Sequence, residues 1–177
     1  MWYNNVDHPL RHYFNGLTEQ TFMADLGVAD PPLIDYLSML LSRFVHTDAI
    51  FKLRSGAGKR LEEVADMLME VEEMPPEGRT SREVHRHIGD FTLFWTGVYP
   101  EVLKTLRSSV RKDQFIDYCE QGKRSYLIAS TFEDEPFKQE ATVLRRISEH
   151  FELCAFGLTK VREEWERKPA PRGERGY

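Results

Sequence analysis

Residues Thr80–Glu101 read TSREVHRHIGDFTLFWTGVYPE, and this stretch decides the fold class. Val84, Ile88, Phe91, Trp95 and Val98 recur at steps of three and four, the period that stacks side chains on one face of an α-helix. His87, Asp90, Phe94 and Gly97 form a second stripe beside the first. A face that wide belongs to a helix surrounded by others, so the spacing predicts a buried central helix over residues 80–99. Thr80 and Glu83 have the S/T-x-x-E spacing of a capping box, in which hydroxyl and carboxylate each satisfy an orphan N–H. Pro100 has no N–H to donate, so the helix ends just before it. Gly97, near that end, either admits a neighbouring backbone or terminates the helix.

Working outward, residues 1–17 are aromatic, with Tyr13 and Phe14 among them, and are expected to pack on the body without regular structure. Thr18 is placed to cap a short helix, and Asp30 followed by Pro31 is a second start signal, an N-cap with proline at the first helical position. The helix from Pro31 presents Leu33, Ile34, Leu37, Leu40, Leu41 and Phe44 on a broad face to about Val45, or to Leu53 if His46–Asp48 does not break it. A third helix is expected over residues 59–74, acidic on its outside. Beyond Pro100 come a short helix and then a stripe of Phe115, Cys119, Gly122, Tyr126 and Ala129. Gly122 on that stripe predicts close helix contact, against the glycine-bearing end of the central helix. A single long helix over 137–167 carries Ala141, Leu144, Ile147, Phe151, Cys154, Leu158, Val161 and Trp165 in a near-heptad seam. The expected architecture is all-α: a single-domain helical bundle of about six or seven helices spanning residues 1–168, with a disordered tail at 169–177.

Composition bounds the function. The chain has 177 residues, 41% hydrophobic and 30% charged, enough for a core without disulfides or metals. A net charge of −5 gives no global electrostatic case for nucleic acid or an anionic membrane, and neither is expected as a partner. No apolar run reaches the roughly 18 residues of a transmembrane helix, and the N-terminus lacks the apolar core of a signal peptide. Cys119 and Cys154 both sit at apolar helix positions, which suits a reducing, cytoplasmic setting.

Glu83, His87 and Asp90 fall at i, i+4 and i+7 on one face. Asp90 could orient His87 as a general base, or the three could hold a metal completed by His8, His12, His46, Asp48 or His85. The simpler reading pairs Asp90 with a buried arginine such as Arg43 and leaves His87 in the core. The candidate ligand-binding residues are therefore His87, Asp90, Tyr126 and Arg43; no catalytic residue, metal site or cofactor is assigned. SGAGKR at residues 55–60 lacks the glycine and hydroxyl of a phosphate-binding loop and reads as a turn. GKRSY at 122–126, with Arg107, Arg111 and Lys112, is a possible patch for anions or acidic partners, although such runs are usually solvated faces.

The run HIGDFTLFWTGVYPE, together with GKRSYLIAS, resembles a pattern found in uncharacterised all-helical bacterial proteins. Gly89, Asp90, Phe91, Phe94, Gly97 and Pro100 are the matching residues. The resemblance implies a helical fold and brings no activity, cofactor or partner with it. Two functions are expected from different classes. The first is a non-enzymatic protein working through a protein partner or homo-oligomer, by way of the C-terminal seam and the aromatic N-terminus. The second is a bundle holding a small ligand or metal around His87 and Asp90.

Overall fold

From His87 to Phe94 every residue of the central helix is buried, including a histidine and an aspartate. The computed structural model describes residues 9–44, 53, 55, 56, 58 and 61–167. These form α1 (Pro9–Glu19), continued by a π-helical segment (Gln20–Asp25), then α2 (Pro31–Phe44), α3 (Val64–Glu72) and α4 (Arg79–Gly97). A short 3-10 turn (Pro100–Val102) leads to α5 (Leu103–Leu106), and another (Lys112–Phe115) precedes α6 (Tyr118–Ser130), α7 (Lys138–Glu149) and α8 (Phe151–Arg167). The fold is all-α, with no strand among the described residues. None of the described helices is long and apolar enough to cross a membrane. His8, His46, Asp48, Lys59, Arg60, a continuation of α2 beyond Phe44, and the tail at 169–177 lie outside the described residues.

The central helix packs against α2, α3, α6 and α8. Three glycines set how closely. A Cβ on Gly89 would lie 2.6 Å from the Tyr126 ring, one on Gly122 would collide with Thr92 and Phe151, and one on Gly97 would lie 3.0 Å from the Ala155 carbonyl. Gly122 does make a close helix contact, but at Thr92 in the middle of α4. The glycine-bearing end of α4 meets α8 instead, where Thr159 Oγ1 donates to the Gly97 carbonyl (2.5 Å) and Arg162 to that of Val98 (2.8 Å). Side chains from α8 thus satisfy carbonyls that the end of a helix leaves open.

Several boundaries differ from the sequence reading, each for a physical reason. The stripe Leu10, Tyr13, Phe14, Leu17 is already helical, so α1 begins at Pro9 and Thr18 is buried inside it rather than capping it. Phe14 packs edge-on to Trp165 at 5.3 Å, which anchors α1 to α8. The capping box does not form: α4 starts at Arg79 with Gly78 as N-cap, and Glu83 turns to Arg82 (2.5 Å). By contrast Asp30 caps α2 as expected, accepting from the Leu33 N–H (3.3 Å). The third helix starts only at Val64, because its cap comes from 49 residues away: Asp113, fully buried, accepts from Val64 N (3.0 Å), Ala65 N (2.8 Å) and the Tyr118 hydroxyl (2.5 Å). This pinned turn leaves Phe115 exposed to solvent rather than on the α6 stripe.

The expected single helix over 137–167 is two helices, and α4 is the longest element. At His150 the backbone leaves the helical basin (φ −118°, ψ 34°). A continuous helix there would run about 45 Å. The break lets α7 lie along α6 and α2, while α8 crosses α4 and α1. The seam residues Leu144, Ile147, Phe151, Cys154, Leu158 and Val161 are all buried within the fold.

The glycine contacts predict opposite signs for one chemical change. Gly89→Ala should lower the unfolding free energy by about 1–3 kcal/mol through overpacking against Tyr126. Gly16→Ala, in α1 with nothing near its Cβ position, should raise it by up to about 1 kcal/mol through helix propensity. Urea unfolding of the two variants checks both.

Candidate functional site

A carboxylate at the centre of a helical bundle is stable only if its charge and lone pairs are met there. Asp90 is 1% exposed, and side chains from two other helices converge on it. Its Oδ1 accepts from the hydroxyls of Tyr36 on α2 (2.6 Å) and Tyr126 on α6 (2.7 Å), and its Oδ2 accepts from Arg43 Nη2 (3.1 Å). Tyr36 and Arg43 are seven residues apart, two turns of α2, so both face α4. The two phenol rings stand edge to face at 6.4 Å.

A second polar layer lies one turn towards the start of α4. Arg82, Arg86 and Asp90 recur at i, i+4 and i+8 and so share a face. Arg82 is buried, and its guanidinium lies 4.0 Å from the Phe137 ring centroid. Glu140 on α7 takes Arg86 Nη1 on one oxygen (2.6 Å) and Arg82 Nη2 on the other (3.0 Å). Glu83 takes Arg82 Nη1 and lies 3.9 Å from Arg86 Nε.

Between α2, α4 and the start of α7 these side chains border an open cavity of about 440 Å³. Pro32, Met39, Pro136, Phe137 and Val143 make its apolar wall, and Tyr36, Arg43, Arg86 and Glu140 are among its polar lining. The volume falls in the range of small-molecule sites.

Burial by itself would raise the carboxyl pKa of Asp90, but Arg43, Arg86 and the two phenol hydrogen bonds outweigh it and hold it below the ordinary value. Burial and the neighbouring Asp90 charge push Tyr36 and Tyr126 well above the usual phenol range. Arg43 and Arg86, despite burial, are held more firmly cationic by Asp90, with Glu140 and Glu83 also acting on Arg86. At neutral pH the cluster is therefore a fixed set of charges and dipoles, suited to holding a ligand rather than shuttling a proton.

Of the residues singled out in the sequence, Asp90, Tyr126 and Arg43 meet, and the Asp90–Arg43 pair is formed. Only Arg43 of the four lines the cavity; Asp90 lies behind it. His87 points away, among the rings of Phe44 (5.8 Å) and Phe91 (6.1 Å). His85 lies beside Ser125 (3.5 Å), and burial lowers its pKa. GKRSY does not form one patch: Gly122, Ser125 and Tyr126 are buried, and Lys123 pairs with Glu120 and Glu152. Among the described residues Cys119, Glu120 and Glu152 come within metal-ligand spacing. Lys123 pairs with both carboxylates, and burial and Glu152 push the Cys119 thiol up to about 11. Sequence reasoning missed Tyr36, Arg82, Arg86, Phe137 and Glu140. The i, i+4, i+8 series on α4 was the available signal for the two arginines. No family model, curated protein or solved structure matches the chain, so the site is read from its own geometry.

The pKa shifts fix the pH dependence. Unfolded, Asp90 returns to about 3.9. In acid the unfolded chain therefore takes up this proton first, and the stability that Asp90 contributes is present above about pH 4 and lost as pH falls through its lower folded value. Tyr36 and Tyr126 act at the other end: unfolded phenols ionise near 10, so their contribution declines as pH rises above that. Urea midpoints measured against pH should show both limbs, and Asp90→Asn should flatten the acid one. Asp90→Ala, which strands the Arg43 charge, should cost about 3–5 kcal/mol.

Proposed function

We propose that the protein binds a small organic molecule in the cavity between α2, α4 and α7. One observation carries this reading: an apolar concave wall meets polar side chains that are already locked in place by the buried Asp90 and by Glu140 at the cavity edge. A preformed site of this kind avoids ordering its side chains when the ligand arrives, which is what makes affinity possible from a small contact area. A cytoplasmic location is part of the proposal, supported by the two free cysteines, of which Cys154 lies in the core with its thiol pushed up to about 12.

A second reading, self-association, has a different support. Val110 (90% exposed) and Phe115 (89%) stand out beside the turn that Asp113 pins to α3. The C-terminal seam that pointed to a partner in the sequence is buried within the fold, and Phe14 packs on α8, so this turn is where a second copy would dock. A concentration-dependent dimer in sedimentation velocity that disappears in the Val110→Ser, Phe115→Ser double variant is the expected result of that reading; a monomer throughout removes it.

For the cavity, Met39→Trp is the discriminating change, because Met39 lines the space from an exposed position and carries no charge of the polar layer. Native mass spectrometry of gently purified protein should show a retained small mass, or a fragment screen should raise the melting temperature. Met39→Trp should abolish either signal with an unchanged helical circular dichroism spectrum. Identical ligand responses in the two proteins would move the site elsewhere.

A further inference from the structure

The polar atoms around the cavity are unequally used, and the inequality has a chemical meaning. Both oxygens of Asp90 already accept, one of them twice, and both oxygens of Glu140 accept from arginines. One oxygen of Glu83 is taken by Arg82 and the other faces Arg86. The Tyr36 hydroxyl proton is directed at Asp90. Each of these three carboxylates is thus already paired with an arginine.

The donors are not all taken. A guanidinium carries five N–H groups. Arg43 directs one nitrogen, Nη2, at Asp90, while among the described residues its Nη1 donates to none, and its side chain remains 27% exposed at the cavity. A ligand acceptor placed against these exposed N–H groups would gain a charge-assisted hydrogen bond. The polar end that this cavity completes is therefore an acceptor, and beside a guanidinium an ionised oxygen pair matches the fork best.

Charge limits how much negative charge fits. Arg43, Arg82 and Arg86 stand against Glu83, Asp90 and Glu140, so the buried network is neutral, and Asp35 adds an exposed carboxylate at the rim. One added negative charge can share Arg43 with Asp90, but a dianion would find the other two cations, Arg82 and Arg86, already held between Glu83 and Glu140. That argument disfavours phosphate esters, and an amine would find only Asp35, at the exposed rim, without an arginine partner among the described residues.

Resting on the cavity reading above, we propose that the ligand class is an apolar monocarboxylic acid, its carboxylate on Arg43 and its hydrocarbon body against Met39, Phe137 and Val143. Binding is non-covalent, with no bond made or broken.

Isothermal titration of the full chain with octanoate, octanamide and octylamine tests this, since the three share a body and differ at the head. Octanoate should bind about ten- to a hundred-fold more tightly than octanamide, the difference between charge-assisted and neutral hydrogen bonds in a partly buried site. Octylamine should bind most weakly, and Met39→Trp should block octanoate. Arg43→Gln should bring octanoate down to the level of octanamide. Because that variant also exposes Asp90 to an unbalanced charge and can fail to fold, the comparison of head groups in the unmutated protein is decisive without it. Equal affinity for octanoate and octanamide, or preference for octylamine, overturns the acid while leaving the cavity in place, provided Met39→Trp abolishes that binding. No binding of any of the three, with Met39→Trp indistinguishable from the unmutated chain in the fragment screen as well, overturns both.

Discussion

A buried carboxylate is among the most demanding groups a protein can place at its centre, and Asp90 organises this one. Burying the charge costs several kcal/mol unless partners meet it, and two other helices supply three of them: Tyr36 and Arg43 from α2, Tyr126 from α6. Each partner can reach Asp90 only if its helix sits at one rotation and one distance from α4. Gly89, directly before Asp90, lets the Tyr126 ring lie against the α4 backbone, so close packing and charge neutralisation are the same event. The register of α2, α4 and α6 follows from this cluster, and so does the rigidity of the cavity wall beside it.

The same device recurs at the edges of the fold. Asp113 caps α3 from a distant turn, and Thr159 and Arg162 close the end of α4 from α8. Helix ends leave backbone groups that must be satisfied, and here they are met by residues remote in sequence. Elements that look independent along the chain are thereby locked to one another, with α4 as the common member.

Periodicity made much of this legible. The apolar steps of α4 predicted a helix buried on all sides, and Asp30–Pro31 marked the start of α2, because both signals are local and depend on backbone geometry alone. The pairing of Asp90 with Arg43 was also readable, since a buried aspartate on a helix needs a cation and few were placed to supply one. The face containing His87 was misleading for a simple reason. Residues at i, i+4 and i+7 share a broad face, but only the neighbours decide which side of it meets polar groups, and His87 turned to Phe44 and Phe91. The Thr80–Glu83 box failed on the same ground: Arg82 and Arg86 competed for the Glu83 carboxylate.

What the chain determined by itself is its helical class, the centrality of residues 80–97 and the need to neutralise Asp90, since these follow from residue spacing and from the cost of an unpaired charge. What only tertiary structure decided is the split of the C-terminal seam at His150, the cap of α3 by Asp113 and the cavity beside Arg43. Each depends on where distant helices come to rest, and that is set by close packing in three dimensions, which the spacing of residues along one helix does not encode.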